Sequence, residues 1–216
     1  AEHWDLNSEY PKDAINAAHE MGLLNLHISE EYGGPGLGIM EEVIVNEELA
    51  WGDPGFATAA YATSLACAPV ITGATHDQKD KYLRMVAEEG ALASYAVTEP
   101  GAGSDVAACK TSAVKDGDEY VINGSKMWIT GAGYADWFFV LAKTDLDAGY
   151  NGMSGFIVES NTPGLTLGKK ENNMGQRCSD TRSISFDDMR IPAENLVGGS
   201  ESGGWMNAMK AFDMSR

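Results

Sequence analysis

The chain of 216 residues has few basic side chains: 15 Lys and Arg stand against 32 Asp and Glu, and the formal net charge is -17 at pH 7. A surface of this sign repels the phosphate backbone of nucleic acids, and no basic arm or stripe offsets it locally. The shortage of cationic residues therefore argues against a nucleic-acid partner.

Cysteine is also scarce in this sequence. Cys67, Cys109 and Cys178 are odd in number and far apart, and no histidine stands near them at the spacing of a metal ligand. This pattern argues against a disulfide framework and against a zinc site. A reducing compartment fits it best.

Long apolar runs are missing as well. No run comes near the ~20 apolar residues that span a bilayer, and the first ten residues lack the basic flank and apolar segment of a signal peptide. With 44% hydrophobic residues the chain can still bury a real core, in one large domain or two small ones. We therefore expect a soluble globular chain with no membrane insertion.

The pattern of capping and breaking residues changes near Gly90, and the part before it is predicted to be helical. Apolar residues recur there at helical spacing between residues that typically begin or end helices. The predicted helices run from Ser8 to about Met21, from Ile39 to Trp51, from Pro54 to about Cys67, and from Thr75 or Asp77 to about Val86.

The part after Gly90 is predicted to form strands, because short runs rich in β-branched and aromatic residues alternate with turn residues. Asp116-Gly117 and Asn123-Gly124 have the composition of hairpin turns. Strands spaced this closely favour a small barrel or sandwich over a parallel sheet with crossover helices. The predicted strands are Ala91–Thr98, Thr111–Lys115, Tyr120–Asn123, Ser125–Thr130, Trp137–Lys143, Gly155–Glu159, Leu165–Lys169 and Arg182–Phe186.

Near the end of the chain, "GWMNAMKAFDMSR" returns to helical spacing. The chain is expected to stop inside a helix whose apolar face needs a partner, and so to be part of a longer polypeptide. Asp213 and Arg216 continue the apolar stripe of this helix; they are either functional groups or exposed charges at a frayed end. The predicted domains are 1–90, helical; 91–198, β; and 199–216, the start of a second helical domain.

The stretch "YAVTEPGAGS", residues 95–104, breaks from an apolar strand into a glycine-rich loop. Gly101 and Gly103 permit a close approach of the backbone, and Ser104 adds a hydroxyl beside free N–H groups, a combination that suits a phosphate or pyrophosphate. The alternative is an ordinary Pro-Gly turn followed by an Asp that caps a short helix.

A second unusual stretch is "KMWITGAG", residues 126–133. Trp128 is predicted at a strand position just before Thr130 and a glycine turn, which would place a flat ring beside a hydroxyl. Such a pair could form one wall of a site for an aromatic cofactor. The alternative is that Trp128 belongs to the barrel core and that Thr130 is simply a good strand former.

The longer motifs resemble a known family. "YAVTEPGAGSD", "NGSKMWIT" and "MGQRCSDTRSISFDDMRIP" follow a helical N-terminal part in this order, and "AFDMSR" comes at the end. Together they resemble the acyl-CoA dehydrogenase family, and most of all its medium-chain members. The resemblance implies an α+β fold: an N-terminal helical domain, a middle β-barrel or sandwich domain that binds FAD, and a C-terminal helical bundle of which this chain has only the start.

The resemblance also implies roles for individual residues. Trp128 would flank the isoalloxazine ring, and Thr130 would hydrogen-bond close to N5, the atom that accepts hydride. Ser104 would lie near the pyrophosphate and near the pantetheine arm of the substrate. The implied FAD contacts are Tyr95, Val97, Thr98, Gly103, Ser104, Trp128, Ile129 and Thr130; the implied substrate contacts are Ser104, Asp213 and Arg216.

The activity that the resemblance implies is the α,β-dehydrogenation of a fatty acyl-CoA to a trans-2-enoyl-CoA in fatty acid β-oxidation. A glutamate removes the α-proton while the β-hydrogen leaves as hydride to the flavin. In medium-chain members that glutamate lies in the C-terminal bundle, so no residue of this sequence is predicted to be the base. Glu99 is expected to be structural.

The implied partners are the acyl-CoA substrate, an electron-transferring flavoprotein, and further copies of the chain in a homotetramer. The implied location is the mitochondrial matrix for a eukaryotic protein and the cytoplasm for a bacterial one. Two other functions remain open: an acyl-CoA oxidase or related flavoenzyme on the same scaffold, and a non-catalytic binding or assembly module.

Acyl chain length is the least determined property. The stretch "FATAAYATSL", residues 56–65, matches a helix that floors the acyl pocket in this family. Tyr61 stands where medium-chain enzymes commonly have a smaller or an acidic side chain. Its ring could shorten the pocket, or it could rotate away.

Overall fold

The computed structural model describes residues 1–214, without the side chain of Met214. Five α-helices come first: α1 (Glu2–Asn7), α2 (Lys12–Glu20), α3 (Ile39–Gly52), α4 (Pro54–Gly73) and α5 (His76–Glu89). The predicted helical N-terminal part is confirmed. The prediction that Ser8 begins a helix is wrong, because Ser8 has a left-handed backbone (φ 53°) and ends α1 instead.

The ends of α4 and α5 follow from their sequence. Asp53 caps α4, since its Oδ1 accepts the N–H groups of Gly55 (2.8 Å) and Phe56 (3.1 Å). Thr75 forms a capping box with Gln78 at the start of α5. Gly90 ends α5 at φ 70°, a conformation that glycine adopts at little cost.

Helix α4 is the central helix of the N-terminal part, and it extends to Gly73 rather than to the predicted Cys67. By length and composition it is long and apolar enough to cross a membrane, with a mean hydropathy of 1.2, which the sequence expectation had missed. However, 67% of that window is buried inside the protein, as is usual for the core helix of a soluble protein. The helix contacts β1, α3, α5 and α6.

The second half of the chain forms one mixed sheet of seven strands that curls. The strands are β1 (Ala93–Ala96), β2 (Ser112–Asp116), β3 (Glu119–Thr130), β4 (Trp137–Lys143), β5 (Met153–Glu159), β6 (Leu165–Leu167) and β7 (Thr181–Pro192). Their order is β1-β4-β2-β3-β7-β6, and β5 pairs with β4. A helical part followed by a strand part is the α+β arrangement that the sequence predicted.

The two predicted hairpin turns have different outcomes. Asp116-Gly117 does join β2 to β3, and Gly117 has a positive φ of 63°. The turn predicted at Asn123-Gly124 is wrong, because both residues lie inside β3 at a register shift opposite β7. Gly124 is needed there for another reason: at φ 145°, a Cβ would come within 2.6 Å of Oγ1 of Thr111.

Strand β4 separates the two main cores. Trp137 and Phe139 pack toward α4 and α5, whereas Phe138 and Val140 pack against residues of β2, β3 and β7. All four side chains are fully buried, which explains why β4 is a continuous apolar run rather than an alternating one. The face toward the helices joins both halves of the chain into one packed unit.

The last described element is α6 (Gly204–Met214), which confirms the predicted helix start. It packs against α4 and β5 through buried Ala208 and Ala211. Asp213 is exposed, which is compatible with both interpretations, so its role toward a substrate stays a prediction. Arg216 lies outside the described residues.

Candidate functional site

The glycine-rich loop that follows β1 leaves open space beside its backbone. Gly101 and Gly103 have ordinary φ values, and a Cβ on either would meet no atom within 4 Å. Neither conformation nor packing within residues 1–214 therefore requires glycine at these positions. Asp105 precedes the short 3-10 turn Val106–Ala108 but makes no side-chain cap bond. These observations favour a loop shaped for a close ligand over an ordinary capped turn.

A buried ion pair fixes this loop to the sheet. The Glu99 carboxylate accepts the N–H groups of Lys110 (2.7 Å) and Thr111 (3.0 Å) and the ammonium of Lys126 (2.8 Å). Lys126 is fully buried and also donates to the carbonyl of Val97 at 3.1 Å. Burial would by itself raise the pKa of Glu99, but Lys126 and the N–H donors outweigh it and lower the pKa to about 2. Glu99 is thus a structural anchor, as expected.

Further hydrogen bonds join the loop to the second motif. The N–H of Met127 donates to the carbonyl of Thr98 at 2.9 Å, and the hydroxyl of Ser94 donates to the carbonyl of Thr130 at 2.7 Å. The two stretches singled out in the sequence, 95–104 and 126–133, are therefore neighbours that hold each other in place.

Trp128 stands out within the second motif. It lies at a register shift between Lys126 and Ile129, has a positive φ of 61°, and leaves 56% of its surface exposed. A tryptophan with this backbone conformation is strained, at a cost of about 1–3 kcal/mol. The interpretation of Trp128 as barrel core is wrong; the shift turns its ring outward, and the neighbouring Ile129 takes the core position.

The third motif, "MGQRCSDTRSISFDDMRIP" at residues 174–192, contacts the same region. Asp180 is fully buried, and it accepts the N–H of Gly131 on its carbonyl (2.7 Å) and the N–H of Gly133 on its carboxylate (2.8 Å). Arg182 pairs with that carboxylate at 2.9 Å. Gln176 of the same motif accepts the hydroxyl of Thr58 on α4 at 2.9 Å. All three sequence motifs thus meet around the turn that follows Thr130.

Three other residues predicted to contact a cofactor are held by the fold itself. The side chains of Val97 and Ile129 are buried in the two cores. The hydroxyl of Tyr95 donates to the carbonyl of Ala208 on α6 at 3.2 Å, and its ring stacks on Phe139. Burial raises the pKa of this hydroxyl. Their roles toward a ligand stay predictions, as do those of exposed Gly103 and Ser104.

An open cavity of about 580 Å³ lies between α3, α4 and this motif cluster. This volume is typical of a site for a small molecule. Thr130 and Gln176 form its side toward the sheet, and most of the remaining wall is apolar. Its lining includes Ile39, Val43, Ala57, Leu65, Glu42 and Tyr61.

Sequence reasoning identified Tyr61 as a possible pocket residue, but it missed the other polar groups in this wall. Glu42 is only 8% exposed, and its Oε1 lies 3.1 Å from Nδ1 of His27. Asn46, one helical turn further along α3, also lines the cavity. Tyr61 is half-buried, and burial together with the charge of Glu42 raises the pKa of its hydroxyl. The available signal was that Glu42 and Asn46 share one face of a helix whose other residues there are apolar.

Comparison with known proteins identifies this arrangement. Residues 1–90 match the N-terminal domain of acyl-CoA dehydrogenases, and residues 94–189 match the middle domain. The chain belongs to the acyl-CoA dehydrogenase family. A probable medium-chain specific acyl-CoA dehydrogenase 2, mitochondrial, of Caenorhabditis briggsae is 50% identical over 100% of this chain and 53% of its own length.

Solved structures of acyl-CoA dehydrogenases show the same fold. Butyryl-CoA dehydrogenase from Megasphaera elsdenii has a TM-score of 0.93 at 38% identity, over 98% of this chain and 56% of its own. An acyl-CoA dehydrogenase complexed with FAD from Bacillus anthracis has a TM-score of 0.86 at 38% identity, over 94% of this chain and 35% of its own. The chain spans about half the length of the curated relatives it matches.

Proposed function

We propose that the protein catalyses the FAD-dependent α,β-dehydrogenation of a fatty acyl-CoA to a trans-2-enoyl-CoA, and that residues 1–216 supply one side of its active-site cleft. The observation that carries this proposal is the cluster of three hydrogen-bonded motifs at one side of the 580 Å³ cavity. Membership of the acyl-CoA dehydrogenase family supports it further.

The residues present fit a bound FAD. The open space beside Gly101 and Gly103 suits the close approach of a pyrophosphate, and the exposed ring of Trp128 suits a stacked isoalloxazine. When bound, FAD supplies an acceptor for the hydride that leaves the β-carbon. Thr98, Ser104 and Thr130 would hold it by hydrogen bonds, and the Glu99–Lys126 pair would keep the loop in register with β3.

This chain would bind and orient the substrate rather than remove its proton. The apolar wall of α3 and α4 would exclude water from the acyl chain, and Ser104, Asp213 and Arg216 would contact the CoA part. Arg216 would offset phosphate charge, which a protein of net charge -17 must do locally. We place the glutamate base in the part of the protein that this chain does not include, and we assign a medium-chain substrate.

The proposal includes the protein's partners and location. Electrons would pass to an electron-transferring flavoprotein, and the protein would assemble as a homotetramer. It would reside in the mitochondrial matrix if the source is eukaryotic and in the cytoplasm if it is bacterial. The relative from Caenorhabditis briggsae, which is named as mitochondrial, supports the first location.

An anaerobic titration of the full-length protein with octanoyl-CoA tests this function. We expect a yellow protein whose flavin absorbance bleaches on addition of the substrate and stays bleached until the electron-transferring flavoprotein is added. Rapid recovery in air would instead indicate an oxidase. A full-length protein that carries no flavin, or whose flavin does not bleach with any acyl-CoA, would contradict the proposal.

A further inference from the structure

The end of the cavity formed by α3 and α4 is polar, although the wall that leads to it is apolar. Glu42, Asn46 and Tyr61 all line this end. The carboxylate of Glu42 is bound on one side only: Oε1 pairs with His27, and among residues 1–214 nothing hydrogen-bonds to Oε2. The amide of Asn46 and the hydroxyl of Tyr61 are likewise without hydrogen bonds within residues 1–214.

The region behind these groups is also incompletely hydrogen-bonded. Nε2 of His27 is buried and has no partner within the described residues. Two small cavities, of about 10 and 20 Å³, lie between Glu42, Tyr61 and Ser64. Cavities of this size hold a single water at most, so they do not provide room for a longer acyl chain. The large cavity therefore ends at Glu42 and Tyr61.

A plain alkyl chain is a poor match for this end. Its terminal methyl group would cover Glu42 and displace water from Oε2 without giving a hydrogen bond in return, which is unfavourable. A hydroxyl group at the same place would donate to the carboxylate. A terminal carboxylate on the substrate would be repelled by Glu42.

We propose that the cavity selects acyl-CoA substrates whose acyl chain ends in a hydroxyl group, which donates a hydrogen bond to Oε2 of Glu42. This inference rests on the proposed dehydrogenase function, and it specifies the substrate class of the same site. Asn46 and the hydroxyl of Tyr61 then surround the terminal group, while His27 holds the carboxylate in place.

The test compares matched pairs of CoA thioesters from butyryl to octanoyl, each with and without a terminal hydroxyl, on the full-length flavoprotein. At the chain length that reaches Glu42, we expect kcat/KM to favour the hydroxylated member by about tenfold or more, since a hydrogen bond to a charged group is worth about 1.5–3 kcal/mol. Equal values, or a preference for the plain chain at every length, would overturn the inference.

Variants of Glu42 assign the preference to this residue. Glu42→Leu, which removes the acceptor at similar volume, is expected to abolish the preference. Glu42→Gln keeps the shape of the side chain but replaces the carboxylate by a neutral amide, so it should fold normally and lose most but not all of the preference. Glu41→Gln, the same change at an exposed neighbour in the first turn of α3, should leave the preference intact. A preference that survives Glu42→Leu and Glu42→Gln unchanged would contradict the assignment.

Binding without turnover gives an independent measurement. Calorimetric titration with non-oxidisable thioether analogues of the same pairs should show about tenfold tighter binding of the hydroxylated member to the unchanged protein and none of this gain with Glu42→Leu. Failure of the two proposals is distinguishable. If no acyl-CoA is oxidised, the proposed function fails; if plain chains are oxidised and the hydroxyl brings no gain, only this inference fails.

Discussion

Two buried glutamates, Glu99 and Glu42, differ in how many hydrogen bonds their carboxylates accept. Glu99 is 7% exposed and accepts three hydrogen bonds, including one from a fully buried lysine. Glu42 is 8% exposed and, among the described residues, accepts one, from His27. Glu99 lies inside the packed junction between the loop and β3, whereas Glu42 lines the cavity between α3 and α4.

The difference separates a structural role from a binding role. A buried carboxylate whose lone pairs are occupied by the protein orders the backbone around it, and it has little capacity left for a ligand. A buried carboxylate with a free oxygen beside a cavity costs stability, and a ligand can recover that cost. Equal burial therefore does not imply equal function; the number of satisfied acceptors distinguishes the two sites.

The largest effect is expected from breaking the Glu99–Lys126 pair. Lys126→Met leaves Glu99 buried without its cation, and we expect the free energy of unfolding to fall by about 3–5 kcal/mol, measured by urea denaturation. Lys115→Met, at an exposed strand position, serves as the control and should change it by less than about 0.5 kcal/mol.

A double variant tests whether the loss of stability in Lys126→Met comes from the unpaired charge of Glu99. Adding Glu99→Gln to Lys126→Met removes the uncompensated charge, so the pair of changes should cost less than Lys126→Met alone. If the double variant is the less stable of the two, the N–H donors of Lys110 and Thr111 suffice to hold Glu99, and the proposed dependence on Lys126 is wrong.

Acid should weaken the same anchor. Because the folded pKa of Glu99 is lowered from 4.5 to about 2, its contribution to stability is fully present above about pH 4.5 and is lost as the pH falls toward 2. The total loss is roughly 3 kcal/mol. Urea midpoints at descending pH should therefore fall more steeply for the unchanged protein than for Glu99→Gln. Parallel curves for the two proteins would show that other carboxylates account for acid unfolding.

The same contrast between a structural and a binding role applies to the tryptophans, of which Trp128 is an exposed one. Trp128→Gly removes an exposed ring and relieves its positive φ, so the free energy of unfolding should change by less than about 1 kcal/mol. The affinity for FAD, followed by flavin fluorescence, should fall by about tenfold or more because the stacked ring is lost.

Two other tryptophans serve as controls for Trp128. Trp137→Ala, at a fully buried site, should cost about 3–5 kcal/mol of stability. Trp51→Ala, at a site that is 90% exposed on α3, should leave FAD affinity unchanged. Unchanged FAD affinity in Trp128→Gly would remove this residue from the proposed cofactor site.

Much of the fold could be predicted from local sequence signals. Thr75 with Gln78, Asp53 before Pro54, and Gly90 each define a helix end by hydrogen bonds within a few residues. The same local signals gave a wrong prediction where a contact between distant parts of the chain determines the backbone conformation. Asn123-Gly124 has the composition of a turn, but pairing with β7 keeps it inside a strand, and only the approach of Thr111 explains the glycine.

The candidate site was predictable only in part for the same reason. The motifs around Gly103 and Trp128 could be identified because their residue types are unusual and contiguous. Tyr61 was identified through the family resemblance, but the polar end as a whole could not be predicted, since His27, Glu42 and Tyr61 come from three separate segments. Glu42 has the pattern of an ordinary acidic residue in the first turn of a helix, where negative charge is favourable in any case.

The smallest effect is expected from Glu42→Gln, and it tests the comparison most directly. The amide oxygen can still accept a hydrogen bond from Nδ1 of His27, and Oε2, which has no partner within residues 1–214, is replaced by the NH2 of a neutral amide beside the cavity. We therefore expect the free energy of unfolding to change by less than about 1 kcal/mol, in contrast to Lys126→Met. The measurement is the urea midpoint of each variant at neutral pH. A loss of stability as large as that of Lys126→Met would mean that Glu42, like Glu99, stabilises the fold. The proposal that Oε2 of Glu42 binds a ligand would then fail.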